Sequence, residues 1–325
     1  MDNENRRNLP LTLPGAIVIA TVIISGSLLY KFQPPGPEVP AAKESARTQS
    51  QKRASLELEE TVLPSGGVLL PVVWGDLGRK LVETRAIDGL KMAALYEQRG
   101  QWSEEYKNLL EADDNGQIRL TRDNSGYILN LLWALGLANK NPILETGEMS
   151  DPKYGGAGKF ASTGGWTLAK GSGMEHYSRY RLIPLSRDQQ ALVEKVSKGI
   201  YRPCCRNSTH FPDCNHGMAM LGLLELMASQ GVNEPQMWKT ALAVNSYWFP
   251  DAYMNMAMYM KSLGTQWADA DPAEMLGANY SSSSGARRIS QMFNSGGSLG
   301  GNGCGVGGGA QPPIQAPKQQ TGCGI

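Results

Sequence analysis

The chain is predicted to be mainly α: an N-terminal transmembrane helix, then an exported helical domain with a long Gly-rich irregular segment. Three observations carry this. Residues 11–30 form one uncharged apolar run. Between Val68 and about residue 294, apolar positions recur at three- and four-residue intervals, punctuated by helix-start residues. Alternation of the strand kind is confined to QIRLT at 117–121.

Leu11 to Tyr30 (LTLPGAIVIATVIISGSLLY) is long enough, at about 1.5 Å per residue, to span a hydrocarbon layer roughly 30 Å thick. Arg6 and Arg7 precede it and Lys31 follows. The short basic side predicts a cytoplasmic N-terminus at 1–10, a single-pass anchor at 11–30 and an extracytoplasmic main domain at the cell membrane. A cleaved signal peptide is the rival reading, with SGS at 25–27 and PAA at 40–42 as imperfect cleavage sites. Residues 31–67 are rich in Pro, charge and small polar groups, a composition that buries too little apolar area to order itself, so they read as a flexible linker.

The domain at 68–294 begins helically. Leu77, Leu81, Ile87, Leu90 and Ala94 share the helical period across 76–99, and Asp88 reads as an N-cap near a break. Ser103 starts a short helix that ends before DDNG at 113–116. QIRLT then suggests a small hairpin strand. Ser125 is placed to cap GYILNLLWALGLA, which is apolar nearly all round and therefore central to the core. Residues 139–185 break the pattern. Loops of this length are functional or disordered, and Tyr154, Phe160 and Trp166 argue for packing. GGAGKF at 155–160 resembles a phosphate loop, but its glycine spacing fails and Phe160 stands where Ser or Thr would hold magnesium.

Ser186 and Gln189 form a capping box for a helix that stops at Gly199. Asp213 is placed to cap a strong helix ending at Gly231. Asn233, Glu234 and Pro235 start the next, Pro250 another, and Asp271-Pro-Ala-Glu274 a short one, before a last helix at about 284–294. Residues 295–325 read as a disordered Gly-rich tail. Its formal GxGxxG at 303–308 follows no strand and opens no helix, so it carries no weight.

The chemistry concentrates in PCCRNSTHFPDCNH at 203–216, which holds three of five cysteines and two of three histidines. Cys204, Cys205, His210, Cys214 and His216 follow the spacing C-C-x4-H-x3-C-x-H. Thiolate and imidazole are the ligands zinc, copper and iron prefer. Cys214 and His216 belong in the first turn of the Asp213-capped helix, where unpaired N–H groups favour a thiolate. Pro203 and Pro212 stiffen the loop ends. The competing readings are a short-loop disulfide, which gives two histidines no role, a redox thiol set, and chance clustering. Met218 and Met220 follow one turn on, and Met254, Met256, Met258 and Met260 crowd a later helix, which keeps copper(I) beside zinc; methionine also fills cores. Cys304 and Cys323, in GCG triplets of the tail, are candidates for metal transfer or for pairing with each other or with a second chain. His176 reads as a surface histidine, with a ligand reaching from the long loop as the alternative, and Asp213 as a cap with a second-layer contact to a histidine as the alternative.

Net charge is +1, which excludes the electrostatic footprint of a nucleic-acid binder, and apolar (41 %) and charged (19 %) contents are ordinary. The stretch IYRPCCRNSTHFPDCNHGMAMLGLLELMASQG resembles a segment of uncharacterised membrane-anchored bacterial proteins, candidate phyla among them, and the resemblance extends through GYILNLLWALGLANKNPIL and FASTGGWTLA over about 120–260. It implies an anchored domain and carries over no catalytic residue. The cluster is also faintly similar to exported proteins with a PCYCGC motif, which place cysteines before a helix at a different spacing. The expectation is a membrane-anchored exported protein binding zinc or copper at 204–216, structurally or for metal handling, with a metal-donor or metal-acceptor protein as partner. A metal- or thiol-dependent enzyme of the cell envelope is the first alternative, and a scaffold or interaction domain stapled by a disulfide the second.

Overall fold

The computed structural model describes residues 41–293. The expected cytoplasmic segment 1–10, the expected anchor at 11–30, the start of the expected linker and the expected tail 295–325 with Cys304 and Cys323 lie outside the described residues. Among the described residues, no helix is long and apolar enough to cross a membrane. The chain divides into two units, Met1–Ala54 and Ser55–Ile325; the core and the cysteine cluster belong to the second.

Fourteen α-helical segments and two strands make up the described chain, so it is mainly α as predicted. The expected flexible linker is not what is seen over much of its length: α1 runs Ala41–Val62. Its sequence, AAKESARTQSQKRASLELEETV, is poor in apolar side chains but made largely of Ala, Glu, Lys, Arg, Gln and Leu, with no Gly or Pro. Those are the strongest helix formers. Composition forecast the lack of burial and missed the backbone preference. The last turn is tied down by Leu58, Val62 and Leu63 against the core.

A second correction concerns Val68 onward. Val68–Val73 is not helical but a strand, β1, antiparallel to β2 at Gln117–Leu120, with Val68 opposite Leu120 and Leu69 opposite Arg119. β2 is therefore real, but it is not half of a local hairpin. Burial alternates along β1: Leu70 and Val72 are buried, Leu69 and Val73 exposed. Pro71 sits where the register breaks between Leu69 and Val73, as a residue without an N–H must.

Between the strands lie α2 (Leu77–Glu83), α3 (Gly89–Gln98) and α4 (Glu104–Glu111). Asp88 caps α3 through the Leu90 and Lys91 amides and Ser103 caps α4 through Tyr106, as their local spacing predicts. Leu90, counted into the apolar stripe, is exposed.

α5 (Ser125–Ala138) crosses α7 (Asn215–Ser229) at the centre of the domain, with α6 (Arg187–Gly199) packed on α7. α5 begins one residue earlier than anticipated: Asn124 is the cap position, and the Ser125 hydroxyl instead donates to Arg122 O. Both α5 and α7 are apolar around their whole circumference and buried along nearly their whole length. Their backbones touch at glycines. A Cβ on Gly136 would lie 2.1 Å from the Met218 carbonyl oxygen, and one on Gly222 would lie 2.5 Å from that of Leu132. α8 (Glu234–Trp248), α9 (Pro250–Ser262) and α10 (Ser283–Phe293) complete the fold, α9 packing on α10.

Residues 139–185 are ordered by anchors. Trp133 donates its indole N–H to Ser162 O and Trp166 donates to Ala86 O. The buried Glu225 carboxylate of α7 accepts from the Asn139 amide at 3.1 Å and the Asn141 amide at 2.5 Å. Burial pushes the Glu225 carboxyl up to about 8, against the pull of those two amides.

Candidate metal centre

The capping box of Ser186 and Gln189 holds α6 as predicted. Past Gly199 the chain doubles back on the helix it has just left: Thr209 N–H bonds Ile200 O at 2.8 Å and His210 N–H bonds Ser197 O at 3.1 Å. Within this loop Cys205 N–H closes a turn onto Arg202 O, and Cys205 O accepts from Ser283 N–H at 2.8 Å. The long segment lies on its far end. Tyr154 and Phe160 pack edge-on against Phe211, and Ser162 N–H bonds Asp213 O.

The cap of α7 is Cys214, not Asp213: its sulfur accepts from Gly217 N–H at 3.4 Å. Asp213 is instead drawn to a buried arginine and to Asn207. The Arg202 guanidinium donates to Asp213 Oδ1 at 2.5 Å, and Asn207 Nδ2 donates to Asp213 Oδ2 at 2.9 Å. With both oxygens engaged, Asp213 fixes its neighbours, and it makes no contact with a histidine. Arg202, 1 % exposed, also donates to Asn207 O, Phe211 O and, through Nε, to Cys214 Sγ at 3.0 Å. Burial works against its charge, and the Cys214, Cys205, Asp213 and Cys204 groups more than restore it, so its pKa rises. Gly217 makes room for it: a Cβ there would lie 2.5 Å from the guanidinium carbon.

The cysteines converge without forming a disulfide. None of the three is in a disulfide, with Cys204 Sγ 3.4 Å from Cys205 Sγ and 3.5 Å from Cys214 Sγ. His216 Nδ1 lies 3.8 Å from Cys204 Sγ. A disulfide requires about 2.05 Å. A tetrahedral ion with metal–sulfur bonds near 2.3 Å spaces its ligand atoms by roughly 3.6–3.8 Å. The observed separations of 3.4, 3.5 and 3.8 Å lie close to the second figure and far from the first. The ligand atoms of Cys204, Cys214 and His216 all lie within 4.8 Å of one another, as do those of Cys205, Asp213 and Cys214. The two groups share Cys214, but Cys205 and His216 do not fall in one group. This buried Cys/His/Asp cluster can therefore hold a metal ion.

Electrostatics prepare the sulfur. Burial and the Cys205 contact raise the Cys214 thiol, yet the contacts from Cys204, Arg202 and His216 outweigh them, for a net shift below its ordinary value. The thiolate is the ligating form. The His216 ring is steadied by Phe249, 4.4 Å between centroids, and by Trp248 at 5.8 Å.

His210 is not among the converging groups. Its loop position pairs with α6, and its ring is half-buried near Lys198, Glu148 and Glu194, with burial and Lys198 pulling its pKa down. His176 is no surface histidine: it is buried and bonded to the Tyr180 hydroxyl at 3.0 Å and Lys170 O at 2.9 Å. Met218, Met220, Met256 and Met260 are members of the hydrophobic core. Arg202 and Gly217 carry no ligand chemistry, so only the RPCC and CNHG runs in which they stand pointed toward them. Comparison with protein-family models, with curated proteins and with solved structures gives no match to the chain.

Proposed function

We propose that the protein is a membrane-anchored, exported metal-binding domain. Its ligands are Cys204, Cys214 and His216, with Cys205 as the fourth, and its metal is zinc or copper. The observation that carries the reading is the mutual approach of the Cys204 and Cys214 sulfurs and the His216 ring nitrogen within 4.8 Å. Two or three thiolates with one imidazole suit zinc in a tetrahedral site and suit copper(I) by softness. Met218, Met220, Met256 and Met260 add nothing to the copper case, since they fill the core. The uncharged apolar run at 11–30, with Arg6 and Arg7 before it, supports the location. A metal-donor or metal-acceptor protein is then the expected partner.

One observation favours a second reading. Cys205 stands outside the group that contains His216. Three protein ligands with a fourth position open to water or substrate describe a catalytic centre, whereas recruitment of Cys205 closes a structural one.

Elemental analysis of the purified full-length protein tests the proposal. The wild type is expected to carry one zinc or copper ion per chain, and Cys214→Ser none. Full loading of Cys214→Ser, or a metal-free wild type whose thiols titrate as disulfides, defeats it. Cys205→Ser separates the two sites: retention of metal favours the open centre, and loss the closed one.

A further inference from the structure

Beside the cluster, on the other side of the Cys205 peptide, lies a pocket that the metal reading does not use. Ser283 N–H bonds Cys205 O, which brings Arg206 over the first turn of α10. α10 reads SSGARRISQMF: Ala286, Ile289 and Ser290 are buried, while Ser284, Arg287, Arg288 and Gln291 are exposed. Arg206, Ser283, Ser284, Arg287, Arg288 and Gln291 together line a cavity of about 160 Å³. That is similar to the cavity of about 150 Å³ known to admit a benzene-sized guest.

The lining is one-sided in charge. Its residues are three arginines, two serines and a glutamine, with no acidic residue among them. Arg288 donates to Asn279 O, but among the described residues neither Arg206 nor Arg287 has an ion-pair partner. Three like charges around one small space repel, and an anion with several acceptor oxygens reverses the sign of that energy. Guanidinium forks match phosphate oxygens two at a time.

We propose that this pocket binds a phosphate group. The space takes an inorganic phosphate or the terminal phosphate of a small ester. The binding is independent of the metal, although Cys205 and Arg206 are adjacent in the chain. For a protein held at a membrane, the phosphate comes either from solution or from a phosphomonoester lipid headgroup.

Calorimetric titration of the full-length protein in neutral detergent tests this, with inorganic phosphate and with dihexanoyl phosphatidic acid as separate probes. One phosphate per chain is expected, weakened at least tenfold by Arg206→Ala combined with Arg287→Ala, with metal content unchanged. Binding of phosphatidic acid alone, lost in the same variant, supports the pocket with lipid as the source. Arg287→Gln, an exposed substitution that leaves the core intact, keeps the test valid if the double variant misfolds, and is expected to weaken binding several-fold. Failure of both probes to bind the wild type, or binding that Arg287→Gln leaves unchanged, overturns the proposal. Neither result touches the metal reading, which elemental analysis reads separately.

Discussion

The buried guanidinium of Arg202 donates its Nε–H to the sulfur of Cys214 at 3.0 Å. One charged side chain thereby holds a candidate metal ligand, the Asp213 carboxylate and two loop carbonyls in a single arrangement. A charge this buried is stable only while every partner is present.

Arg202→Met is therefore expected to destabilise the domain by about 3–5 kcal/mol, because it leaves Asp213 and the Cys214 thiolate buried without a counter-charge. Arg202→Lys restores charge but not the fork, and should recover only part of the loss. Urea denaturation midpoints measure both. A loss below about 1 kcal/mol for Arg202→Met is incompatible with this role.

The α5–α7 crossing makes a sharp prediction about glycine. Gly136→Ala drives a methyl into the Met218 backbone and should cost about 1–3 kcal/mol or more. Gly126→Ala, in the first turn of the same α5, meets nothing within 4 Å and should be neutral or stabilising. Thermal melts of the two variants are expected to move in opposite directions, or the second not at all. Because α7 carries Cys214 and His216 at its start, Gly136→Ala should also weaken metal retention.

Glu225 predicts a pH dependence. Its carboxyl ordinarily titrates at 4.5, and burial raises it to about 8 in the folded state. Between those values the folded protein keeps a proton that the unfolded chain has lost. Stability therefore falls as pH rises from about 4.5 to about 8, by at most about 5 kcal/mol, and this contribution is constant beyond. Glu225→Gln removes the slope. Its new amide faces the Asn139 and Asn141 amide donors, so the variant should be the less stable at pH 5, with the gap narrowing toward pH 8. Parallel slopes for wild type and variant in chemical denaturation across this range count against the assignment.

The two cluster histidines should behave differently. His210→Ala is expected to bind metal like the wild type, since its ring is set among Lys198, Glu148 and Glu194. His216→Ala should lower affinity at least tenfold, as loss of one ligand does. Competition with a chromogenic chelator measures both, and equal loss in the two variants would contradict the assignment of ligands.

Much of this was legible in residue order. Asp88, Ser103, Ser186 with Gln189, Asn233 and Asp271 cap the helices they precede, because capping is settled within two or three residues by a side-chain oxygen and a nearby N–H. The same locality betrayed Asp213. A carboxylate before a helix looks like a cap, but the deeper claim of Arg202 removed it and left the Cys214 sulfur to do the capping. Val68–Val73 misled in a similar way, since a short apolar run reads as helix or strand until its partner is known, and the partner lies at 117–120.

By itself, then, the sequence determined that the domain is helical, where most helices start, and that sulfur and imidazole are concentrated at 204–216. Tertiary structure alone decided which of those groups meet. It folded the loop back on α6, brought Cys204, Cys214 and His216 together, and left His210 outside. It also joined Asn139 to Glu225 across 86 positions and buried Arg202 beside Cys214. Caps and turns are contests between neighbours in the chain. A buried polar cluster depends on the crossing of α5 and α7 and on the space their glycines leave, which no local pattern encodes.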